Sequence, residues 1–405
     1  MKNGWQTKPL ADVCEIKPPK SGARERVAAD ALVSFAPMED LGIDRKFLNA
    51  SQVKPLASVV GSYTYFADGD VLLAKITPCF ENGKLGIAAG LNNGIGFGSS
   101  EFIVFRPSAS LDKEFLYYFL ARPEFRTEGA ARMGGAVGQQ RVPKEFIESY
   151  RIPLPPLPEQ QRIVGILDES FEGIATAKAN AEKNLQNARA LFASHLQSVF
   201  AQRGEGWVEK PLAELCDPAR VITYGVIKLG NEVSTGVPCL RTSNVRWLRI
   251  ETQGMKRIAP SLSSEYSRTI LKGGEVLVSV RGTLGGVAVA KPEMAGWNVS
   301  REVAVVPVNP ARVNPVFLSY LISSGTSQQW LGDVKKGAAY VGINIEDLRL
   351  LPVSAPKMER QLEILRHLKA LQEESQRLAN VYESKLAALE ALKKSLLHQA
   401  FTGAL

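Results

Sequence analysis

Asp68, Asp70 and Lys75 fall within "DGDVLLAKI" (68–76), two carboxylates followed by a lysine. Carboxylates clustered around a divalent metal are what phosphodiester hydrolysis needs. Ala74 occupies the place where an acid would be expected beside the lysine. The stretch therefore reads as a turn entering a strand. Other chemistries are no better supplied. There is no GxxxxGK[ST] loop to cradle phosphates, and no GxGxxG follows a strand. "KPPK" at 17–20 lacks both the amide and the aromatic of an amino-methyltransferase motif. His195, His367 and His398 all lie in helical patterns, which argues against a Ser/His/Asp triad and against a zinc site. Cys14, Cys79, Cys216 and Cys239 are widely spaced without a CxxC, and read as reduced packing residues. The expectation is a chain that is no enzyme and binds no metal or cofactor.

A chain of 405 residues, 45% hydrophobic, suggests two or three domains with real cores. The start "MKNGWQTKPLADVCEI" carries no apolar leader, and no run reaches the ~18 apolar residues of a membrane span. A soluble, cytoplasmic protein that does not engage a membrane is expected. The net charge of +8 admits an anionic partner without requiring one. The excess is uneven. Residues 203–352 hold 18 basic against 13 acidic side chains, whereas residues 1–157 hold 19 against 17.

The sequence is written twice. "GWQTKPLADVCE" (4–15) returns as "GWVEKPLAELCD" (206–217), and "DGDVLLAKI" (68–76) as "GGEVLVSVR" (273–281). "SSEFIVFRP" (99–107) parallels "SREVAVVPV" (300–308), and "LFASHLQSVFAQ" (191–202) parallels "LKKSLLHQAFTG" (392–403). The offset is close to 200 residues throughout, far too long for a solenoid unit. Each copy opens with short β-rich runs such as "ALVSFAPM", "DVLLAKI", "VPCLRTSNV" and "EVLVSVRG", split by Gly, Asn and Pro. Short helical patterns follow at 111–122 and 315–324.

Each copy ends in a long heptad pattern. In the first, Val164, Leu167, Phe171, Ile174, Lys178, Ala181, Leu185, Ala188, Phe192, His195 and Val199 step by three and four. In the second, Ile364, Leu368, Leu371, Ser375, Leu378, Tyr382, Lys385, Leu389, Leu392, Leu396 and Gln399 do the same. Two such seams can bury each other as an antiparallel coiled coil. The polar seam members Lys178, Ser375 and Lys385 either fix register or mark places exposed to partners. "LPPLPEQQRIVGILDE" (154–169) launches the first helix. Pro158 suits the first turn, Glu159 suits the positive end of the dipole, and the preceding prolines hold the exit extended. The later copy, "APKMERQ" (355–361), keeps Pro356, Glu359 and Gln361 but loses the proline run.

With the duplication, the paired heptads, "PLPPLPEQ" and the closing "LLHQAFTGAL" (396–405), the whole chain resembles the specificity subunit of type I restriction–modification systems. The resemblance implies a mixed α/β fold with two target-recognition domains, 1–157 and 204–352, and two helical spacers, 158–203 and 353–405. It implies a non-catalytic subunit that directs its partners to a two-part asymmetric site on double-stranded DNA, the helices setting the gap. Two methyltransferase subunits would dock on it, and restriction/translocase subunits on those. S-adenosylmethionine, ATP and Mg²⁺ would belong to the partners. Two other readings stay open: an assembly scaffold that does not read DNA, and a nuclease in its own right.

Base edges favour Arg on guanine, Asn or Gln on adenine, and Ser or Thr on either, while Lys and backbone amides take phosphates. On that chemistry the first domain offers Lys75, Thr77, Asn82 and Lys84, then Ser99 and Ser100, then Gln139, Gln140 and Arg141. The second offers Arg241, Thr242, Ser243, Asn244 and Arg246, then Arg281 and Thr283, then Ser300 and Arg301. Singly, each is better explained as a solvated loop residue; as sets they favour contact. Gly-rich segments at 134–138 and 337–342 occupy matching places and are either contact loops or turns leading to the joint.

Overall fold

The strands "VLLA" and "VLVS" bury every residue, so both of their faces must be covered. A computed structural model describes residues 5–136, 138–202, 204–335 and 342–405. Most of residues 337–342 thus lies outside the described residues. The chain divides into two compact units, Met1–Glu182 with Ser384–Leu405, and Lys183–Glu383.

In the first unit, an antiparallel sheet orders Cys14–Ile16, Phe102–Pro107, Val71–Ala74 and Leu85–Ile87. A second sheet orders Gln52–Pro55, Leu32–Ala36, Ile95–Gly98 and Thr64–Ala67, with one parallel pair at its centre. The period-two rule divides the core. Val71 and Leu73 join Phe115, Phe119 and the long helices on one side. Leu72 and Ala74 join Ala36 and Phe66 on the other. The second unit repeats the plan. Thr223–Tyr224, Val303–Val306, Val276–Ser279 and Val287–Val289 form one sheet, and Lys256–Ile258, Val237–Leu240 and Asn298–Val299 the other. Val276 and Val278 face Phe317 and Leu368, while Leu277 faces Leu240 and Val299.

The acid-rich turn is structural in both copies. Asp70 is buried, accepts the Ala67 N–H at 2.8 Å and takes a two-pronged pair from Arg106 at 2.9 and 2.8 Å. Asp68 accepts the Leu91 N–H at 3.0 Å. In the second copy Glu275 is buried, accepts the N–H groups of Lys272 and Gly273, and pairs with Arg220 at 2.8 Å. Cys14 and Cys216 are buried at equivalent places, and burial pushes each thiol up to about 12.

Both long patterns are continuous 45-residue helices, Leu157–Ala201 and Met358–Thr402, each about 67 Å long at about 1.5 Å per residue. The stretch Pro352–Ala355, which straddles the boundary drawn between 352 and 353, is a strand paired with Val208–Pro211. Gln6–Pro9 and Arg151–Leu154 pair in the same way in the first copy. Compactness thus cuts the chain differently from the four-segment division, because each helix contributes part of its length to each unit.

The helices pair antiparallel. In the first unit Lys178 meets Glu390 at 2.8 Å, Lys393 covers the Phe171 ring, and Arg162 donates to the Leu405 carbonyl at 2.8 Å. In the second, Arg189 meets Glu383 at 2.6 Å and the buried Ser375 hydroxyl donates to the Ala188 carbonyl. Lys178 and Ser375 therefore bridge between helices. Val164, Leu167, Ala181, Ala188, Phe192, Ile364 and Leu368 are buried, and Phe171, Ile174, Leu185, Leu371, Leu378, Tyr382, Leu389 and Leu396 are partly buried. Three seam assignments are corrected. His195, Lys385 and Leu392 are exposed, and Leu196, Leu386 and Lys393 turn inward beside them. A straight helix drifts about 20° per heptad against a 3.5-residue repeat, so a strict alternation of three and four slips by one residue.

The joint that launches each helix is held by a buried glutamine. The Gln160 amide donates to the carbonyls of Pro155 at 2.8 Å and Ser110 at 2.9 Å, and accepts the Asp112 N–H at 2.8 Å. Asp112 caps the helix Lys113–Leu120. Gln361 does the same, donating to Pro356 at 2.8 Å and accepting the N–H of Asn314, the cap of Pro315–Ser323, at 2.9 Å. Thus the second joint keeps its lock without the proline run. Among the described residues no helix is long and apolar enough to cross a membrane. Replacing Gln160 or Gln361 with Ala strands a buried N–H and a carbonyl, and each change should lower stability by about 1–3 kcal/mol in urea unfolding. Unaltered midpoints would show that the amides do not hold the joints.

Candidate nucleic-acid interface

A turn at the same place in each repeat gathers the candidate residues. In the first copy the Ser99 hydroxyl accepts the Glu101 N–H at 3.2 Å, and the Glu101 carbonyl accepts the Lys75 N–H at 2.9 Å. In the second the Ser300 hydroxyl accepts the Glu302 N–H at 3.3 Å, and the Glu302 carbonyl accepts the Val280 N–H at 2.8 Å. A further bridge joins Ile76 to Arg141 in one copy and Arg281 to Gly342 in the other. The backbone frame is therefore duplicated while the side chains on it differ.

In the first unit the frame brings Lys75, Thr77, Ser99, Ser100, Gln139, Gln140 and Arg141 together. Thr77 donates through its N–H and its hydroxyl to the Gln140 carbonyl, at 3.0 and 3.3 Å. Gly134 and Arg141 exchange backbone hydrogen bonds at 3.1 and 2.9 Å, and residue 137 of the Gly-rich segment lies outside the described residues. Gly135 and Gly138 adopt φ of 121° and 81°, a region that disfavours side chains. Arg141 is exposed and forms a two-pronged pair with Glu101, 2.9 Å for each contact. Those bonds hold the Glu101 carboxyl below its ordinary range. The pair contributes at neutral pH and is lost only as pH falls through that lowered value. Lys75 donates to the Ser100 carbonyl at 2.9 Å. Burial pushes its ammonium pKa down, and Lys17 and Arg141 press the same way against Glu101. Lys75 also lines a cavity of about 440 Å³ with Lys17, Lys20, Lys144, Tyr63 and Tyr65. Cations beside aromatic rings suit phosphate and base faces. Asn82 is exposed in a separate turn, and Lys84 donates to the Met38 carbonyl at 2.8 Å, so the frame does not gather these two.

In the second unit Thr242 donates to the Thr283 carbonyl at 2.8 Å, and its N–H faces the Glu302 carboxylate at 3.5 Å. Arg281 lies over the Tyr224 ring at 5.5 Å, and Ser243 and Thr283 are exposed. Arg241 donates to the Gly254 carbonyl, Arg246 pairs with Glu251 at 3.5 Å, and the Arg301 N–H bonds the Val226 carbonyl. Two candidates are corrected. Asn244 is 2% exposed, with its amide spent on the Arg241 N–H and the Glu251 carbonyl. Ser300 is buried and serves the turn. Both shape the loops instead of facing solvent. Sequence reasoning missed Glu101 and Glu302, because a carboxylate looks out of place among cations. Their matched position in "SSEF" and "SREV" was the available signal.

Among the described residues no group of three or more His, Cys, Asp or Glu is placed to hold a metal. What fold and site define is an internally duplicated α/β protein with one loop frame in two chemical versions. The chain belongs to the type I restriction modification DNA specificity domain family, whose model matches twice, at residues 2–186 and 205–383. The EcoEI specificity subunit of Escherichia coli is 39% identical over 166 residues, 41% of this chain and 27% of that relative. The Escherichia coli EcoBI specificity subunit is 24% identical over 316 residues, 73% of this chain and 66% of the relative. The chain thus spans about a quarter of the length of the first and two thirds of the second. Two solved structures share the fold over the full chain. One comes from work on complex assembly and conformational transition of the type I R-M system, with a TM-score of 0.78 at 20% identity and 99% of that chain covered. The other is the HsdS subunit from Thermoanaerobacter tengcongensis, 0.69 at 19% identity with 98% covered.

Asn244→Ala should destabilise the 241–251 loop by about 1–3 kcal/mol and speed its proteolysis, while Ser243→Ala should leave both unchanged. Equal behaviour of the two variants would contradict the division between shaping and presenting residues.

Proposed function

We propose that this chain is the non-catalytic DNA-specificity subunit of a type I restriction–modification system. Each globular portion reads one half of a split, asymmetric duplex site, and the long helices set the unread gap. The duplicated loop frame is the observation that carries this reading. Lys75 and Ile76 in one copy stand where Val280 and Arg281 stand in the other, and Ser100 where Arg301 stands. One frame with two sets of side chains is what reading two different half-sites requires.

Two methyltransferase subunits dock on this chain, and restriction/translocase subunits join through them. Leu191, Leu362, Val381 and Leu392, all exposed on the long helices, support docking there. S-adenosylmethionine, ATP and Mg²⁺ reside on those partners. The assembly works in the cytoplasm and needs no membrane.

Exchanging residues 1–150 for those of another family member should change one half of the methylated site in a host methylome and leave the other intact. Changes in both halves, or in neither, would contradict modular reading. Removing one matched heptad from both long helices should shorten the gap by about 10 Å, roughly three base pairs. A gap of unchanged length would rule out the helices as spacers.

A further inference from the structure

Arg141 has five N–H donors in a planar fork. Glu101 takes the side edge, Nε and one Nη2 proton, through contacts of 2.9 Å each. The Gln139 carbonyl accepts one Nη1 proton at 3.0 Å. These three bonds use three of the five protons and leave one on Nη1 and one on Nη2. Two parallel donors on one edge match the O6 and N7 acceptors that guanine shows in the major groove. The guanidinium is exposed, and its backbone is fixed by the exchange with Gly134 and the bridge to Ile76.

We infer that Arg141 reads a guanine in the first half-site, and that Glu101 is the positioning residue that aims its free edge. The inference rests on the DNA-reading function proposed above and assigns one base to one side chain. Three features argue for a built reader. The fork is held by three hydrogen bonds, two to Glu101 and one to the Gln139 carbonyl, so little side-chain entropy remains to be lost on binding. The clamp is itself fixed, since the Glu101 N–H and carbonyl are held by Ser99 and Lys75. The carboxylate also offsets the cations around it, which weakens indiscriminate attraction to phosphates. A free lysine or an unclamped arginine would bind phosphates without such discrimination.

The test uses the complete complex with its methyltransferase partners. The wild-type methylome should place a G·C pair in the half-site governed by residues 1–150. Replacing that guanine with 7-deazaguanine removes the N7 acceptor and should weaken wild-type binding roughly 10-fold or more. The Arg141→Met complex, which removes the fork's donors while keeping most of its length, should bind both substrates alike and methylate sites relaxed at that one position. Glu101→Gln should relax the same position and steepen the salt dependence of non-specific binding, whereas a purely structural residue would alter stability alone. A half-site without G·C, or equal 7-deazaguanine penalties in wild type and Arg141→Met, would overturn the assignment while leaving the DNA-reading function standing. The absence of any two-part methylated site would overturn the function itself.

Discussion

A buried amide must be paired at both ends, and that requirement fixes the geometry at the root of each long helix. Gln160 and Gln361 are 0% and 1% exposed. Each ties the carbonyl two residues before its helix to the capped start of a short helix in the same unit. An unpaired amide there would cost more than the pairing gains, so the joint has one favoured arrangement. The aromatic contacts beside it repeat the scheme. Phe401 packs on Phe115 with centroids 4.8 Å apart, and Phe200 on Phe317 at 5.3 Å. In each unit, then, the beginning of one long helix and the end of the other share a core with the same short helix.

Because the frame is held by buried amides, acids and aromatics, the loops are free to differ. Asp70 and Glu275 close the same turn with different carboxylates and different arginine partners. Ser99 and Ser300 hold the same glutamate turn. Beyond those points the copies diverge. One offers a clamped arginine beside a lysine-lined cavity, the other an arginine over a tyrosine ring and a threonine pair. The residues that hold the frame are thereby separate from the loop residues that differ between the copies.

Much of this was legible in the sequence. The duplication, the strand text and both long helices follow from repeat offset and periodicity, since those patterns reflect burial directly. The role of "PEQ" did not follow, because a glutamine lock depends on which carbonyls a fold brings within 3 Å. Asn244 and Ser300 were taken for readers because residue type alone does not show burial. The heptad count placed His195, Lys385 and Leu392 on the seam, because a strict repeat ignores helical drift. Glu101 and Glu302 were passed over for the converse reason: their meaning lies in a turn geometry that composition does not display.

The central claim is that two copies of one frame face two different stretches of DNA. Photo-crosslinking from Ser100 and from Thr283, each replaced by a benzophenone amino acid in the assembled DNA complex, tests it most directly. The account predicts adducts from position 100 to bases of one half-site only and from position 283 to bases of the other only, with an unmodified gap between. Adducts from both positions on the same half-site, or from neither on any base, would contradict it.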